Sequence, residues 1–174
     1  ALPYFVPASV FSRAGSVPSE RITLGFIGTG KQSKHLMRSF LNSPGTHVVA
    51  GCDVDKLKLQ RGKKIVEDHY ARKNGGSYKG CDTYGDFREL LARDDIDAVV
   101  IGTPDHWHGC QVVQAAETGK HIYCEKPACC TIEEGKALVA AVTESKASVQ
   151  IGEHGRCQQQ ACPAPRHRVN RRHG

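Results

Sequence analysis

The sequence contains no long apolar run and few aromatic residues. Only 39% of its 174 residues are hydrophobic, and aromatic residues make up 6%. A membrane-spanning helix needs about 20 consecutive apolar residues, so we expect no membrane contact. A chain of this length buries one sizeable core rather than two. The composition therefore predicts one soluble domain with irregular tails.

A disulfide scaffold is not indicated either, although the sequence has eight cysteines. Most of them lie inside periodic segments, where cysteine behaves as a small buried hydrophobic residue. We therefore expect most of them to be free thiols. The eight are Cys52, Cys81, Cys110, Cys124, Cys129, Cys130, Cys157 and Cys162.

Positive charge is scarce outside the C-terminal segment. Residues 153–174 hold five arginines and one glutamate, a net +4, which leaves only +2 of the total +6 for the rest of the chain. A basic surface for nucleic acid could therefore lie in this segment alone. We expect no nucleic-acid partner for the body of the protein.

The two terminal segments lack the pattern of a packed core. Residues 1–20 begin with alanine rather than methionine and are rich in proline, serine and alanine, which is typical of a linker or a leader remnant. Residues 153–174 have no lysine, leucine, isoleucine, phenylalanine or tyrosine and cannot build a core. We expect a basic, disordered tail there and one folded domain over residues 21–152.

Within that domain, stretches rich in valine and isoleucine alternate with amphipathic ones. Strands are predicted at residues 22–28, 47–53, 97–103, 121–127 and 147–152. Helices are predicted at residues 33–42, 55–74, 85–94, 107–119 and 131–146. Short connections between alternating strands and helices predict an α/β fold with right-handed βαβ units, a doubly wound parallel sheet of the Rossmann type.

The first and last predicted helices carry apolar residues spaced for one helical face. They are Leu36, Met37, Phe40 and Leu41 in the first helix, and Ile132, Leu138, Val139 and Val142 in the last. We expect both sets to pack against the sheet.

The first strand-to-helix junction, GFIGTGKQSKH, fits the dinucleotide motif G-x-G-x-x-G/A. Gly28 permits the tight turn, Gly30 lets the backbone approach a diphosphate, and Ser33 takes the third, small position. The helix after this turn offers unpaired N–H groups to an anion. The alternative is an ordinary turn of an α/β protein.

Asp53 strengthens the dinucleotide interpretation. It ends the second predicted strand 23 residues after Gly30, close to the spacing of about 20 at which a carboxylate accepts hydrogen bonds from the adenosine ribose. The same carboxylate repels a 2′-phosphate. Val54 and Asp55 offer no arginine to receive one, and Lys56 is the nearest cation in sequence. We expect NAD as cofactor in preference to NADP.

The stretch GTPDHWHGCQ comes after another predicted strand, and ligands of such sheets bind at the carboxyl ends of the strands. The candidate cofactor neighbours here are Thr103, Pro104, Asp105, Trp107 and His108. Alternatively, Pro104 and Asp105 simply start a helix, with Asp105 as its N-cap. His106 and His108 lie at alternate positions of a predicted loop, an arrangement that is more often not a metal site, so we expect no metal there.

Lys126 stands where the strand HIYCEKP leaves the sheet. Pro127 ends the strand and restricts Lys126 to an extended backbone, so the ammonium group should project into the crevice at the carboxyl edge. The alternative is a solvated lysine in a turn, with Glu125 as its surface partner.

The stretches TLGFIGTG, YGDFRELL, DAVVIGTPDHWH and CEKP, together with Asp53, resemble the Gfo/Idh/MocA family of nicotinamide-dependent oxidoreductases over residues 21–152. The resemblance implies a Rossmann domain followed by a substrate domain, and activity on sugars and cyclitols. It implies Lys126 as the catalytic residue near the nicotinamide and the substrate hydroxyl. The residues it assigns to the cofactor are Gly28, Thr29, Gly30, Lys31, Gln32, Asp53, Thr103, Pro104, His108, Glu125, Lys126 and Pro127.

The C-terminal segment departs from this family, whose members continue into a second domain that carries a histidine general acid/base. We expect a truncated or frame-shifted chain that binds a dinucleotide, is inactive alone, and meets its sugar or polyol substrate only with a second domain. An oligomer is not expected without that domain. The N-terminal segment resembles the stretch after a twin-arginine export signal in a bacterial branch of the family, so both a cytoplasmic and an exported location stay open.

Two rival hypotheses remain. His154, Cys157, Cys162 and His167 have the spacing of a small zinc knuckle amid arginines, which would suit a nucleic-acid contact. No aromatic residue is present there to stack on a base. The other rival is a nucleotide-binding module without catalysis.

Overall fold

The computed structural model of the protein describes residues 21–153. Over this range the chain forms one sheet of six strands, and every neighbouring pair in it is parallel. The strands are β1 (Ile22–Ile27), β2 (Thr46–Cys52), β3 (Asp82–Tyr84), β4 (Ala98–Ile101), β5 (His121–Glu125) and β6 (Val149–Gly152).

The strand order is β3-β2-β1-β4-β5-β6. The chain adds β2 and β3 on one side of β1, then crosses over and adds β4, β5 and β6 on the other side. The direction of winding therefore reverses between β1 and β4, and a crevice opens at the carboxyl ends of these two neighbours. This is the doubly wound parallel sheet that the sequence predicts, and that fold class is confirmed.

Five helices connect the strands. They are α1 (Lys31–Asn42), α2 (Lys56–Asn74), α3 (Phe87–Leu91), α4 (Asp105–Glu117) and α5 (Ile132–Glu144). Three helices begin at a side-chain cap: Asp55 accepts from the N–H of Leu57 at the start of α2, and Asp86 and Thr131 cap α3 and α5 in the same way. Each such cap satisfies a backbone donor that the first turn leaves unpaired.

The core lies on both faces of the sheet. On one face, residues of β1, β2 and β4 pack against α1 and α2, with Phe26, Val48 and Met37 almost wholly buried. On the other face, β1, β4 and β5 pack against α3 and α4 through Ile101 and Leu90. Since both faces are covered, the strands read as continuous apolar runs in the sequence.

The sequence does not predict strand β3, and it predicts the buried face of helix α5 only in part. The edge strand β3 has three residues, Asp82–Tyr84, none of them buried, so no apolar run marks it. In α5, Leu138 and Val142 pack against the core, but Ile132 is 74% exposed and Val139 is 63% exposed. The expectation that all four apolar residues face the sheet is therefore wrong for two of them.

The six cysteines in the described range are free thiols, as the sequence predicts, but only Cys52, Cys81 and Cys124 are buried. Burial raises the pKa of each of these three thiols to about 12. Cys110 and Cys130 are exposed instead. Within residues 21–153, no helix is long and apolar enough to cross a membrane.

Candidate functional site

A cavity of about 550 Å³ opens at the carboxyl edge of the sheet, where the winding direction reverses. Five parts of the chain line it: the β1–α1 turn, the end of β2, the first turn of α2, the start of α3, and the loop after β4 with the first turns of α4. Its lining includes Gly28, Gly30, Lys31, Gln32, Asp53, Lys58, Asp86, Phe87, Arg88, Gly102, Thr103, Pro104, Trp107 and Gln111.

Gly28 makes the turn at the floor of the cavity. Its φ of +85° lies in the left-handed region that favours glycine. A Cβ on this residue would stand 2.9 Å from the backbone of Gly102 and from the nitrogen of Thr103. The turn after β1 and the loop after β4 can therefore approach each other this closely only if residue 28 has no side chain.

Gly30 begins α1 and leaves the helix N-terminus open. No side chain in the described part of the chain caps this helix, and its first turn holds no acidic residue. A Cβ on Gly30 would meet nothing within 4 Å, so the space above it is free. Lys31 adds a positive charge beside the helix dipole, and this arrangement suits an anionic diphosphate.

Ser33 occupies the third, small position of the motif. It is fully buried, and its hydroxyl donates to the carbonyl oxygen of Gly102 at 3.1 Å. Gly102 has no room for a side chain, because a Cβ there would collide with the hydroxyl of Ser33. This contact holds α1 against β4 and keeps the helix N-terminus aimed into the cavity.

Asp53 lies at the end of β2 and is held by three donors. One carboxylate oxygen accepts from the N–H of Thr29 at 2.8 Å and from its hydroxyl at 3.0 Å. The other oxygen accepts from the N–H of Asp55 at 2.9 Å. Thr29 is 1% exposed, so its side chain supports Asp53 beneath the cavity and is not part of the cavity lining.

Two cations besides Lys31 line the cavity, and neither is Lys56. Lys58 lies 3.3 Å from Asp55, and Arg88 lies 3.2 Å from Asp86. The residues that follow Asp53 offer no arginine, but α3 brings Arg88 to the cavity from a distant part of the sequence. The YGDFRELL stretch contains the only sequence signal for this residue.

Both acidic partners of these cations stay ionised. The N–H of Lys58 donates to Asp55 and lowers the pKa of that carboxyl, and the N–H of Arg88 does the same for Asp86. Asp53 and Asp86 line the same cavity as these two cations. Each cation already has a carboxylate partner, so a 2′-phosphate would have to displace one of them.

The loop after β4 forms the opposite wall. The hydroxyl of Thr103 donates to the side-chain oxygen of Gln111 at 2.7 Å, and Trp107 packs edge-on against Phe87 across the cavity. The N-cap of α4 is Pro104, and Asp105 is the first helical residue. The alternative interpretation, with Asp105 as the N-cap, is therefore wrong by one position.

The residues of the EKP motif lie outside the cavity lining. Lys126 is exposed at the end of β5, and the Lys126–Pro127 peptide bond is cis. Glu125 is 4% exposed and accepts from the side-chain amide of Gln32 at 3.2 Å, so it is a buried residue of the sheet edge and not a surface partner. This contact ties the start of α1 to the end of β5.

His108 is also outside the lining, because it is 1% exposed within the first turns of α4. Residues 21–153 contain no group of three acidic, histidine or cysteine side chains that could hold a metal ion. The zinc-knuckle residues lie outside the described residues, as do both terminal segments apart from Glu153.

Comparison with known proteins gives the family. The profile of an oxidoreductase family with an NAD-binding Rossmann fold, Gfo/Idh/MocA, matches residues 22–153. Glycosyl hydrolase family 109 protein 2 of Shewanella sp. strain ANA-3 is 36% identical over 115 residues, which is 66% of this chain and 25% of that protein. The chain thus spans about a quarter of the length of the curated relatives it matches.

Two solved structures are similar in fold to this chain. The WlbA dehydrogenase from Bordetella pertussis, in complex with NADH and UDP-GlcNAcA, has a TM-score of 0.66 at 25% identity over 81% of this chain and 39% of that one. Scyllo-inositol dehydrogenase from Lactobacillus casei, with bound NAD(H) and scyllo-inositol, has a TM-score of 0.64 at 25% identity over 76% and 36%. Given the profile match and the glycine turn facing Asp53, the chain belongs to the Gfo/Idh/MocA oxidoreductase family, and residues 22–153 are its NAD-binding Rossmann domain.

Proposed function

We propose that the cavity binds NAD as the cofactor of a dehydrogenase acting on a sugar or cyclitol hydroxyl, and that this chain alone binds NAD without oxidising a polyol. One observation carries the first part. The tight glycine turn, the open N-terminus of α1 and the carboxylate of Asp53 all meet in a single cavity. A diphosphate and a ribose are the groups that such a combination recognises.

Different residues of the chain would bind different parts of NAD. The backbone at Gly28 and Gly30, with Lys31 beside it, would hold the diphosphate, and Asp53 would accept hydrogen bonds from the ribose hydroxyls. Thr103, Pro104 and Trp107 would border the nicotinamide half. NAD, when bound, supplies the hydride acceptor for the reaction.

Lys126 is proposed to act on the substrate. This exposed residue directly follows β5, at the same edge of the sheet as the cavity but outside its lining. A positive charge there would orient the substrate hydroxyl and favour the loss of its proton as the hydride leaves the carbon. Glu125 and Pro127, on either side, fix the backbone that presents it.

A second candidate comes from the curated relatives, which are named glycosyl hydrolases. Hydrolysis causes no net oxidation, so in such a protein NAD would be returned to its starting state in every cycle. The two candidates share the cofactor domain and differ in products: free NADH and a ketone in one, a released sugar in the other.

Titration of the whole chain with NAD and NADP, monitored by calorimetry, tests the binding proposal. We expect NAD to bind, and we expect neither NADH formation with inositols or nucleotide sugars nor release of nitrophenol from nitrophenyl glycosides. The reason is that residues 22–153 are the NAD-binding domain of the family, and Lys126 lies outside the lining of its cavity. The binding proposal is wrong if neither dinucleotide binds, and the inactivity proposal is wrong if any of these substrates turns over.

Replacing Lys126 with alanine should leave NAD affinity within about tenfold of the wild-type value, because the lysine faces the substrate and not the diphosphate. Lys31→Ala removes the same charge from the cavity lining and serves as the matched comparison. We expect it to weaken NAD binding more than Lys126→Ala does. Equal losses in calorimetric titrations of both variants would contradict this assignment of the two lysines.

A further inference from the structure

The ring of His108 lies within hydrogen-bond distance of two backbone carbonyl oxygens. It is 1% exposed, in the first turns of α4. Its Nδ1 lies 2.7 Å from the carbonyl oxygen of Pro127, and its Nε2 lies 2.9 Å from the carbonyl oxygen of Thr103. Both distances are those of good hydrogen bonds.

The chemistry of the two partners determines what the ring must donate. A backbone carbonyl oxygen only accepts, and a neutral imidazole donates from one nitrogen alone. The ring therefore donates from at least one nitrogen, and each of its two nitrogens lies against a carbonyl oxygen in a buried site.

The two carbonyls belong to two different walls of the crevice. Thr103 lines the cofactor cavity in the loop after β4, whereas Pro127 comes directly after Lys126 at the end of β5. The ring of His108 thus bridges the cofactor wall and the turn that presents the lysine. Glu125, the other neighbour of Lys126, is tied to α1 by Gln32.

From this geometry we propose that His108 is the positioning residue for Lys126: its buried ring bridges the carbonyl oxygens of Thr103 and Pro127 and locks the Lys126–Pro127 turn to the loop after β4. The inference rests on the proposed role of Lys126 in substrate binding. It assigns His108 to the support of the lysine and not to direct cofactor contact.

The first experiment observes the ring in the unmodified chain. In histidine-labelled protein, long-range proton–nitrogen correlation spectra report which ring nitrogens carry a proton, and loss of a signal in His108→Gln assigns it. We expect Nδ1, the nitrogen that faces Pro127, to carry a proton that is shielded from solvent exchange. A spectrum in which Nδ1 carries no proton would overturn this clamp on the turn without any need for a variant to fold.

The second experiment measures the turn itself without cofactor. Nitrogen relaxation of the amides of Lys126 and Ala128 should show larger nanosecond motion in His108→Gln, with order parameters falling from about 0.85 towards 0.6. His106→Gln is the matched control, since His106 is two residues away and exposed. We expect it to leave both amides unchanged.

Equal rigidity of the turn in His108→Gln and wild type would show that the clamp does not position Lys126. An NAD titration of the same samples separates the two proposals. Absence of NAD binding in the wild type would defeat the proposed function, whereas the ring and amide signals would still decide the role of His108.

Discussion

Gly28→Ala is expected to lower the free energy of unfolding by about 2–4 kcal/mol and to remove measurable NAD binding. The left-handed backbone at φ +85° costs an alanine about 1–2 kcal/mol. The added Cβ would also stand 2.9 Å from the backbone of Gly102, which has no flexible end that could move aside. Urea unfolding monitored by circular dichroism, with calorimetric titration of NAD, measures both effects.

Gly30→Ala is the matched variant, with the same added methyl group two residues away. Its φ of −67° suits alanine, and nothing lies within 4 Å of the new Cβ. We expect a loss of about 1 kcal/mol or less in stability, since alanine is only a poorer N-cap than glycine. NAD affinity should nevertheless fall by about tenfold or more, because the methyl group occupies the space in which a diphosphate approaches the backbone. If Gly30→Ala destabilised the fold as much as Gly28→Ala does, the left-handed backbone and the Cβ contact at position 28 would not explain the loss of stability.

Asp53→Ser is expected to reduce the preference for NAD over NADP by about tenfold or more, mainly through weaker NAD binding. The carboxylate that would accept from the ribose hydroxyls is lost, and so is the charge that would repel a 2′-phosphate. Lys58 and Arg88 then become free to approach that phosphate, since their pairs with Asp55 and Asp86 lie at the surface and are weak. Calorimetric titration of both dinucleotides measures the ratio.

Two further variants separate the causes of this change. Asp53→Asn keeps the size of the side chain but cannot satisfy the donors of both Thr29 and Asp55, so it tests the loss of charge with little loss of volume. Asp68→Asn removes the same charge on α2, outside the cavity. The NAD assignment is wrong if wild type binds NADP as tightly as NAD, and the role of Asp53 is wrong if Asp68→Asn changes the ratio equally.

Several features of the site were readable from the sequence because they depend on neighbouring residues. The left-handed backbone of the tight turn needs glycine at position 28, and this requirement is local, although the space for a side chain there is taken by the distant Gly102. Five of the six strands are visible because both faces of the sheet are covered, so the strands are apolar runs. The third strand is not visible, since its pairing with β2 and not its composition makes it a strand.

The doubly wound α/β fold, the glycine turn and the carboxylate of Asp53 were determined by the sequence itself, because local sterics and apolar patterning dictate each of them. The tertiary structure decided which distant residues meet at the carboxyl edge of the sheet. Thr29 turns to Asp53, 24 residues away, and His108 reaches Pro127, 19 residues away. Arg88 is also distant from Asp53 in the sequence, and α3 places it in the lining of the same cavity. No periodicity records these contacts, because they arise only when the strands pair and bring their ends together.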